Sequence, residues 1–180
     1  MIDAAGGSAF LYGTSSGAVL ALEAAGSGLP ITKLALWEPP FILDESRRPP
    51  PDTATTYRQL VAEGRRGGAV EFFMSKVVGL PPEFVAQART QPFWGAQEAL
   101  AHTLAYDATI MGDYSVPTER AAVTVPTLVM DGGASFAGMA ESAQALADAL
   151  PDGQRRTLEG QGHDVDPNVL APVLVEFFAG

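Results

Sequence analysis

The chain has 180 residues, 47% of them hydrophobic and 18% charged, with a formal net charge of −10. That composition supplies the core of about one domain and excludes a disordered segment, and the acidic balance provides no electrostatic route to nucleic acid or anionic lipid. With no cysteine at all, a disulfide framework, a thiolate nucleophile and Cys-ligated zinc are excluded as well.

The elements follow in chain order. The opening MIDAAGGSAF lacks the basic segment and long apolar core of a signal peptide. No apolar run approaches the roughly 20 residues needed to span a bilayer, so a cytoplasmic location is expected. Residues 8–12 (SAFLY) form a short apolar run that predicts a buried strand. Residues 16–25, rich in Ala and Leu, predict a helix stopped by Gly26-Ser27-Gly28. Residues 33–37 (KLALW) predict a second strand, closed by Pro39-Pro40. Strand, tight turn, helix, strand is a βαβ unit with parallel strands.

From Phe41 to about Thr124 no core strand is evident. A proline-rich linker (RRPPPD) precedes helical patterns at 53–65, 69–78, 82–90 and 93–105. This predicts a helical insertion over about 44–122. Its aromatic clusters, Phe72-Phe73 and Phe93-Trp94, together with Phe41, are candidates to line an apolar pocket, with ordinary packing between helices and the sheet the favoured account of the clusters. Strand and helix then alternate again: a strand at 127–131 (TLVMD), a helix at 139–150 ended by Pro151, and a strand at 155–158 (RRTL). Asp166 as an N-cap with Pro167 behind it opens a closing helix through Phe178. Pro172 is expected to kink that helix or delay its start.

Gly13-Thr14-Ser15-Ser16-Gly17 is a G-x-S-x-G motif between an apolar strand and a helix. A serine on so sharp a turn has its Oγ lifted clear of the backbone, and the flanking glycines leave room for the turn. The helix start behind it directs free N–H groups at the site, with the N–H of Ser16 as the natural oxyanion donor. Two histidines are present. His163, in a loop between the last strand and the last helix, can lean over the end of a parallel sheet where the serine also sits. His102, inside the insertion, has no motif around it.

LYGTSSGAVLALEAA, KLALWEPPF, VPTLVMDGG and RTLEGQGHDVDP together resemble a group of actinobacterial α/β-fold hydrolases. The resemblance implies a partial α/β-hydrolase fold, with a mainly parallel sheet of about four strands, flanking helices and a helical cap-like insertion. It also implies Ser15 as nucleophile, His163 as base and Ser16 N–H as half of an oxyanion hole. In most such proteins the triad acid follows the strand that VPTLVMD represents, where this chain has Ser135. Serine can accept a hydrogen bond from histidine but supplies no charge to an imidazolium. Some relatives, pancreatic-type lipases among them, carry the acid after the preceding strand, which corresponds to Glu38. Glu38 is the favoured acid, with Asp131 or no residue at all as alternatives.

The superfamily normally has several strands and a Gly-rich loop before the elbow. Here the elbow lies at residues 13–17 and MIDAAGG resembles the middle of a helix leading into it. The expectation is therefore a truncated fold with the 8–12 strand exposed at an edge, prone to self-association, or a start placed downstream of the true one. The function implied is a serine hydrolase of esters or thioesters on a small-molecule substrate, needing no metal or cofactor. The alternatives are an inactive fragment and a small-molecule binding module.

Overall fold

The computed structural model describes residues 2–117 and 123–180. Before the first strand, the expected helix is a single 3-10 turn at Asp3–Ala5, ended by Gly6 in a left-handed conformation. Then come β1 (Ala9–Thr14), α1 (Ser16–Gly26) and β2 (Ile31–Trp37). A helical stretch follows: α2 (Thr53–Ala62), α3 (Arg66–Phe72), α4 (Pro82–Ala88), α5 (Trp94–Leu100) and α6 (Leu104–Met111). The chain closes with β3 (Thr127–Gly132), α7 (Met139–Ala149), β4 (Gly153–Leu158) and α8 (Pro167–Ala179). It divides into two compact units: Met1–Leu43 with Ser115–Gly180, and Asp44–Tyr114.

In the first unit the four strands are parallel in the order β1-β2-β3-β4. Each crossover advances one strand in the same direction, so right-handed connections put α1 and α7 on one face. There α1 packs on β1 and β2, and α7 on β3 and β4. Leu34 and Leu36 alternate with Ala35 and Trp37 along β2, and all four are fully buried, which is why this strand reads as a continuous apolar run. Ala35 and Trp37, with Leu128 and Met130 of β3, pack against Leu170, Val173, Leu174 and Phe177 of α8 on the second face. Burying each such large side chain contributes about 1.5–3 kcal/mol.

Two sequence expectations are refined, the burial of the first strand and the effect of Pro172. The 8–12 run, apolar enough to read as a buried strand but expected at an exposed edge in a truncated fold, is an edge strand: β1 pairs only with β2, and Gly13 is its one buried residue. Phe10 is half exposed and its ring stacks on Phe178 at 5.0 Å. Pro172 does not delay α8, which starts at Pro167 under the Asp166 side chain. The ring of Pro172 removes one N–H from an interior turn without ending the helix.

The second unit has its own core of Tyr57, Ala69, Val70, Trp94, Ala101, Ala105 and Ala108. Alanines at these contacts let the helices approach closely. The expected 69–78 helix begins earlier, at Arg66, and finishes in a π turn at Phe73–Val77. The expected 93–105 helix is two helices split by a 3-10 turn at Ala101–Thr103. The second of them runs on to Met111, because Ala105, Ala108 and Met111 recur at helical spacing and all three are buried. The insertion's expected end near 122 lies outside the described residues, and the compact unit ends at Tyr114.

The elbow explains one glycine of its motif and not the other. A Cβ on Gly13 would collide with the carbonyl oxygen of Gly17, whereas a Cβ on Gly17 would meet nothing within 4 Å. Gly13→Ala is therefore expected to abolish cooperative folding or displace the elbow. Gly17→Ala should be neutral or stabilising by up to about 1 kcal/mol, since alanine favours the helix; thermal unfolding of the pair checks both.

Two phenols make the second unit sensitive to alkali. Burial pushes Tyr114 up to about 12 from an ordinary 10.0, and pushes Tyr57 higher still. The folded chain then holds protons that the unfolded chain releases near pH 10. Their contribution to stability is full below pH 10 and declines as pH rises toward 12. In a Tyr12→Phe/Tyr106→Phe variant, which keeps only these two phenols, helical circular dichroism followed together with tyrosinate absorbance should show the phenolate signal appearing with unfolding, not before it.

Candidate active site

In a parallel sheet all strands end on the same edge, and the loops beyond that edge face one region. Thr14 of β1 pairs with Trp37 of β2, and Trp37 with Met130 of β3. The next residues, Ser15 and Glu38, therefore leave adjacent strands at the same level, about one strand spacing (~4.8 Å) apart along the backbone. Ser15 N donates to Trp37 O at 2.8 Å, and Glu38 N to Met130 O at 2.9 Å. Both residues have positive φ, 54° at Ser15 and 46° at Glu38. Such backbone costs about 1–3 kcal/mol per residue and persists only where the surroundings over-determine it. Ser15 is immediately followed by α1, whose first N–H groups have no carbonyl partner within the helix.

The Glu38 carboxylate is fully buried. Its Oε1 accepts from Gly132 N at 2.8 Å, and its Oε2 accepts from Ser135 Oγ at 2.8 Å. His163 Nδ1 lies 2.6 Å from that same Oε2. Against an acceptor-only carboxylate Nδ1 is the protonated nitrogen, which leaves Nε2 free to take a proton. The His163 side chain is 31% exposed, so one face of the ring reaches solvent. Ser135, which occupies the usual acid position in the chain, donates to the carboxylate oxygen that histidine also bonds.

The histidine loop is tied down from several directions. Trp37 Nε1 donates to His163 O at 2.9 Å. Ala134 N donates to Gln161 O, and Gly133 N to Leu158 O. A Cβ on Gly132 would collide with the Gln161 carbonyl, so glycine is required where β3 meets this loop. On the other side, Ser142 Oγ of α7 donates to Pro39 O at 2.7 Å and steadies the turn after Glu38. The Phe136 ring, half exposed, lies 5.8 Å from the His163 ring.

Asp131, the alternative acid, is also fully buried but otherwise engaged. It accepts from Arg155 Nε at 2.8 Å and Nη2 at 3.1 Å, and from Thr157 Oγ1 at 3.1 Å. Its carboxylate holds the Arg155 guanidinium above its ordinary pKa. Among the aromatic candidates, Phe41 is buried in the first unit. In the second, Trp94 belongs to the core, Phe73 packs against it, and Phe72 meets Tyr57 edge-on at 5.4 Å. Phe93 is half exposed. His102 Nδ1 is within 3.2 Å of Ala99 O on the surface of the second unit, and its ring meets Tyr106.

Sequence reasoning missed the contacts of Trp37, Gly132 and Phe136. Ser135 drew notice for its place in the chain, but its hydroxyl meets a residue 97 positions away, which no local pattern announces. Among the described residues no cluster of His, Cys, Asp and Glu has metal-binding geometry, and no helix is long and apolar enough to cross a membrane.

A parallel sheet with a serine on a strand-to-helix turn and a histidine in the loop after the last strand defines the α/β-hydrolase class. Neither a scan against protein-family models nor a search of curated proteins found a match. Among solved structures, an α/β hydrolase from Sphaerobacter thermophilus DSM 20745 is 57% identical, with a TM-score of 0.87, over 98% of this chain and 70% of that one. An α/β hydrolase from a Medee basin deep-sea metagenome library shares the fold at 13% identity and a TM-score of 0.69, over 99% of this chain and 68% of that one. The enol-lactonase from Burkholderia xenovorans LB400 shares it at 14% and 0.60, over 99% and 69%. The chain belongs to the α/β-hydrolase superfamily.

Trp37 links the buried sheet to the histidine loop through one hydrogen bond. Trp37→Phe should cost about 1–3 kcal/mol, from the lost bond and the vacated ring volume. Urea unfolding measures that cost, and faster amide exchange concentrated at residues 159–166 would place it in the loop.

Proposed function

We propose that this chain is a serine hydrolase of carboxylic esters or thioesters, working through an acyl-enzyme at Ser15. The observation that carries it is the 2.6 Å contact between His163 Nδ1 and the buried Glu38 carboxylate, beside the strand end that bears Ser15. Ser15 Oγ attacks the carbonyl carbon while His163 Nε2 takes its proton. The tetrahedral oxygen that develops faces the start of α1, where the Ser16 N–H is the donor in this scheme. The intermediate collapses as His163 returns the proton to the departing alcohol or thiol. Water, activated by the same imidazole, then releases the acid and restores Ser15. Glu38 holds the ring in the productive tautomer and supports the imidazolium. Asp131, paired with Arg155, has no part in this scheme.

A fluorophosphonate probe should label the wild-type chain at one residue and fail to label Ser15→Ala. Glu38→Gln should lower kcat for an activated ester by about 10²–10⁴-fold, and Asp131→Asn should leave any folded product far more active than that. Equal labelling of wild type and Ser15→Ala would sink the assignment. Ligand binding without turnover, unaffected by Ser15→Ala, would instead mark a binding module.

A further inference from the structure

The turn after β3 contacts both oxygens of the buried acid. Gly132 N donates to Glu38 Oε1, and three residues on, Ser135 Oγ donates to Oε2, each at 2.8 Å. The turn is itself closed by Ser135 N donating to Gly132 O at 3.1 Å. Ala134 N and Gly133 N anchor it to Gln161 O and Leu158 O, at the base of the histidine loop. One short turn therefore grips the carboxylate at two points and is fastened to the loop that carries His163.

We propose that Ser135 is a positioning residue for the triad: its hydroxyl fixes the plane of the Glu38 carboxylate so that Oε2 meets His163 Nδ1. The proposal rests on the assignment of Ser15, His163 and Glu38 made above. The physical need is specific. The terminal torsion of a glutamate is broad and roughly two-fold, unlike its staggered aliphatic torsions. Apart from Ser135, the donors are the Gly132 N–H on Oε1 and the imidazole itself, which is the group to be aligned, so without the hydroxyl the carboxylate can swing about that bond and carry Oε2 out of line. A second donor on Oε2, set by a different point of the same turn, removes that freedom. The Ser135 hydroxyl bonds Glu38 and not the imidazole or Ser15, so it acts through Glu38.

The test compares wild type with Ser135→Ala, Ser135→Cys, Ser135→Thr, Glu38→Gln and the double variant Glu38→Gln/Ser135→Ala. Turnover of a short-chain p-nitrophenyl ester gives kcat and KM, and thermal unfolding establishes that each protein is folded. Ser135→Ala should lower kcat roughly tenfold with KM changed by less than about twofold, as expected for a lost hydrogen bond to a charged group that acts on the chemical step. Ser135→Cys, nearly isosteric but a weak donor, should lose a similar amount. Ser135→Thr, which keeps the hydroxyl, should recover most of it. In the Glu38→Gln background the alanine change should have little further effect, because no carboxylate remains to be oriented. Wild-type kcat in both Ser135→Ala and Ser135→Cys, or an equal loss in the two backgrounds, would overturn the proposal.

A second readout keeps it separable from the proposed hydrolase activity. The Nδ1–H proton of His163 has its own NMR resonance, observable with or without turnover. Ser135→Ala and Ser135→Cys should shift or broaden it, and Ser135→Thr should leave it near its wild-type position. If wild type shows that resonance but neither labels at Ser15 nor turns over ester, the hydrolase assignment fails while the clamp stands. If the resonance is unmoved in all three variants, the clamp fails regardless of activity.

Discussion

A buried anion organises the first unit. Glu38 is fully excluded from water, and a carboxylate in that position is tolerated only with its oxygens satisfied. Its donors come from the end of β3, the turn after β3 and the loop after β4. None of them is available unless β2, β3 and β4 are stacked in their observed register. A slip of one residue would turn Glu38 to the other face of the sheet and leave both the anion and its donors unpaired. The arrangement of strands and the candidate site thus depend on the same set of bonds.

Strain is concentrated at the same edge. Ser15 and Glu38, on neighbouring strands, both have the left-handed φ that side chains other than glycine rarely adopt. Each is held by a ladder hydrogen bond reaching one residue beyond its strand. At Glu38 the chain enters Pro39-Pro40, whose fixed φ values stiffen the exit, and Ser142 secures Pro39 from α7. At Ser15 the chain enters α1 directly, and the contact between Gly13 and the Gly17 carbonyl leaves no room for a side chain. Both residues thus sit on rigid strand ends.

Two buried carboxylates one strand apart have different surroundings. Asp131 faces a guanidinium and a hydroxyl from β4, an ion pair that neutralises it within the sheet. Glu38 faces an amide, a hydroxyl and an imidazole, of which only the imidazole can change its charge. An acid matched to a fixed cation has little left to give a proton-transfer partner, whereas one matched to a titratable ring responds when that ring is protonated. Residue type does not separate the two, since both are acids at the end of an apolar strand.

Much was legible in the chain itself. Apolar runs bounded by glycine or proline marked β1, β2 and β3, because a parallel strand of the core needs no alternation to identify it, whereas β4 was read from the polar RRTL between Pro151 and the histidine loop. The G-x-S-x-G turn between strand and helix placed Ser15, and the loop position of His163 between the last strand and last helix singled it out from His102. The strand-end position of Glu38 made it a candidate acid. What tertiary structure alone decided was which acid meets the histidine, that Ser135 serves that acid as a donor, and that Arg155 occupies Asp131. It also decided that Phe10 of the edge strand β1 stacks on Phe178 while staying half exposed, and that α6 continues to Met111. The physical reason is range: strand and turn signals are carried by neighbours a few residues apart. The contacts of Glu38 and Asp131 join residues 24 to 125 positions apart, and exist only once the sheet is assembled.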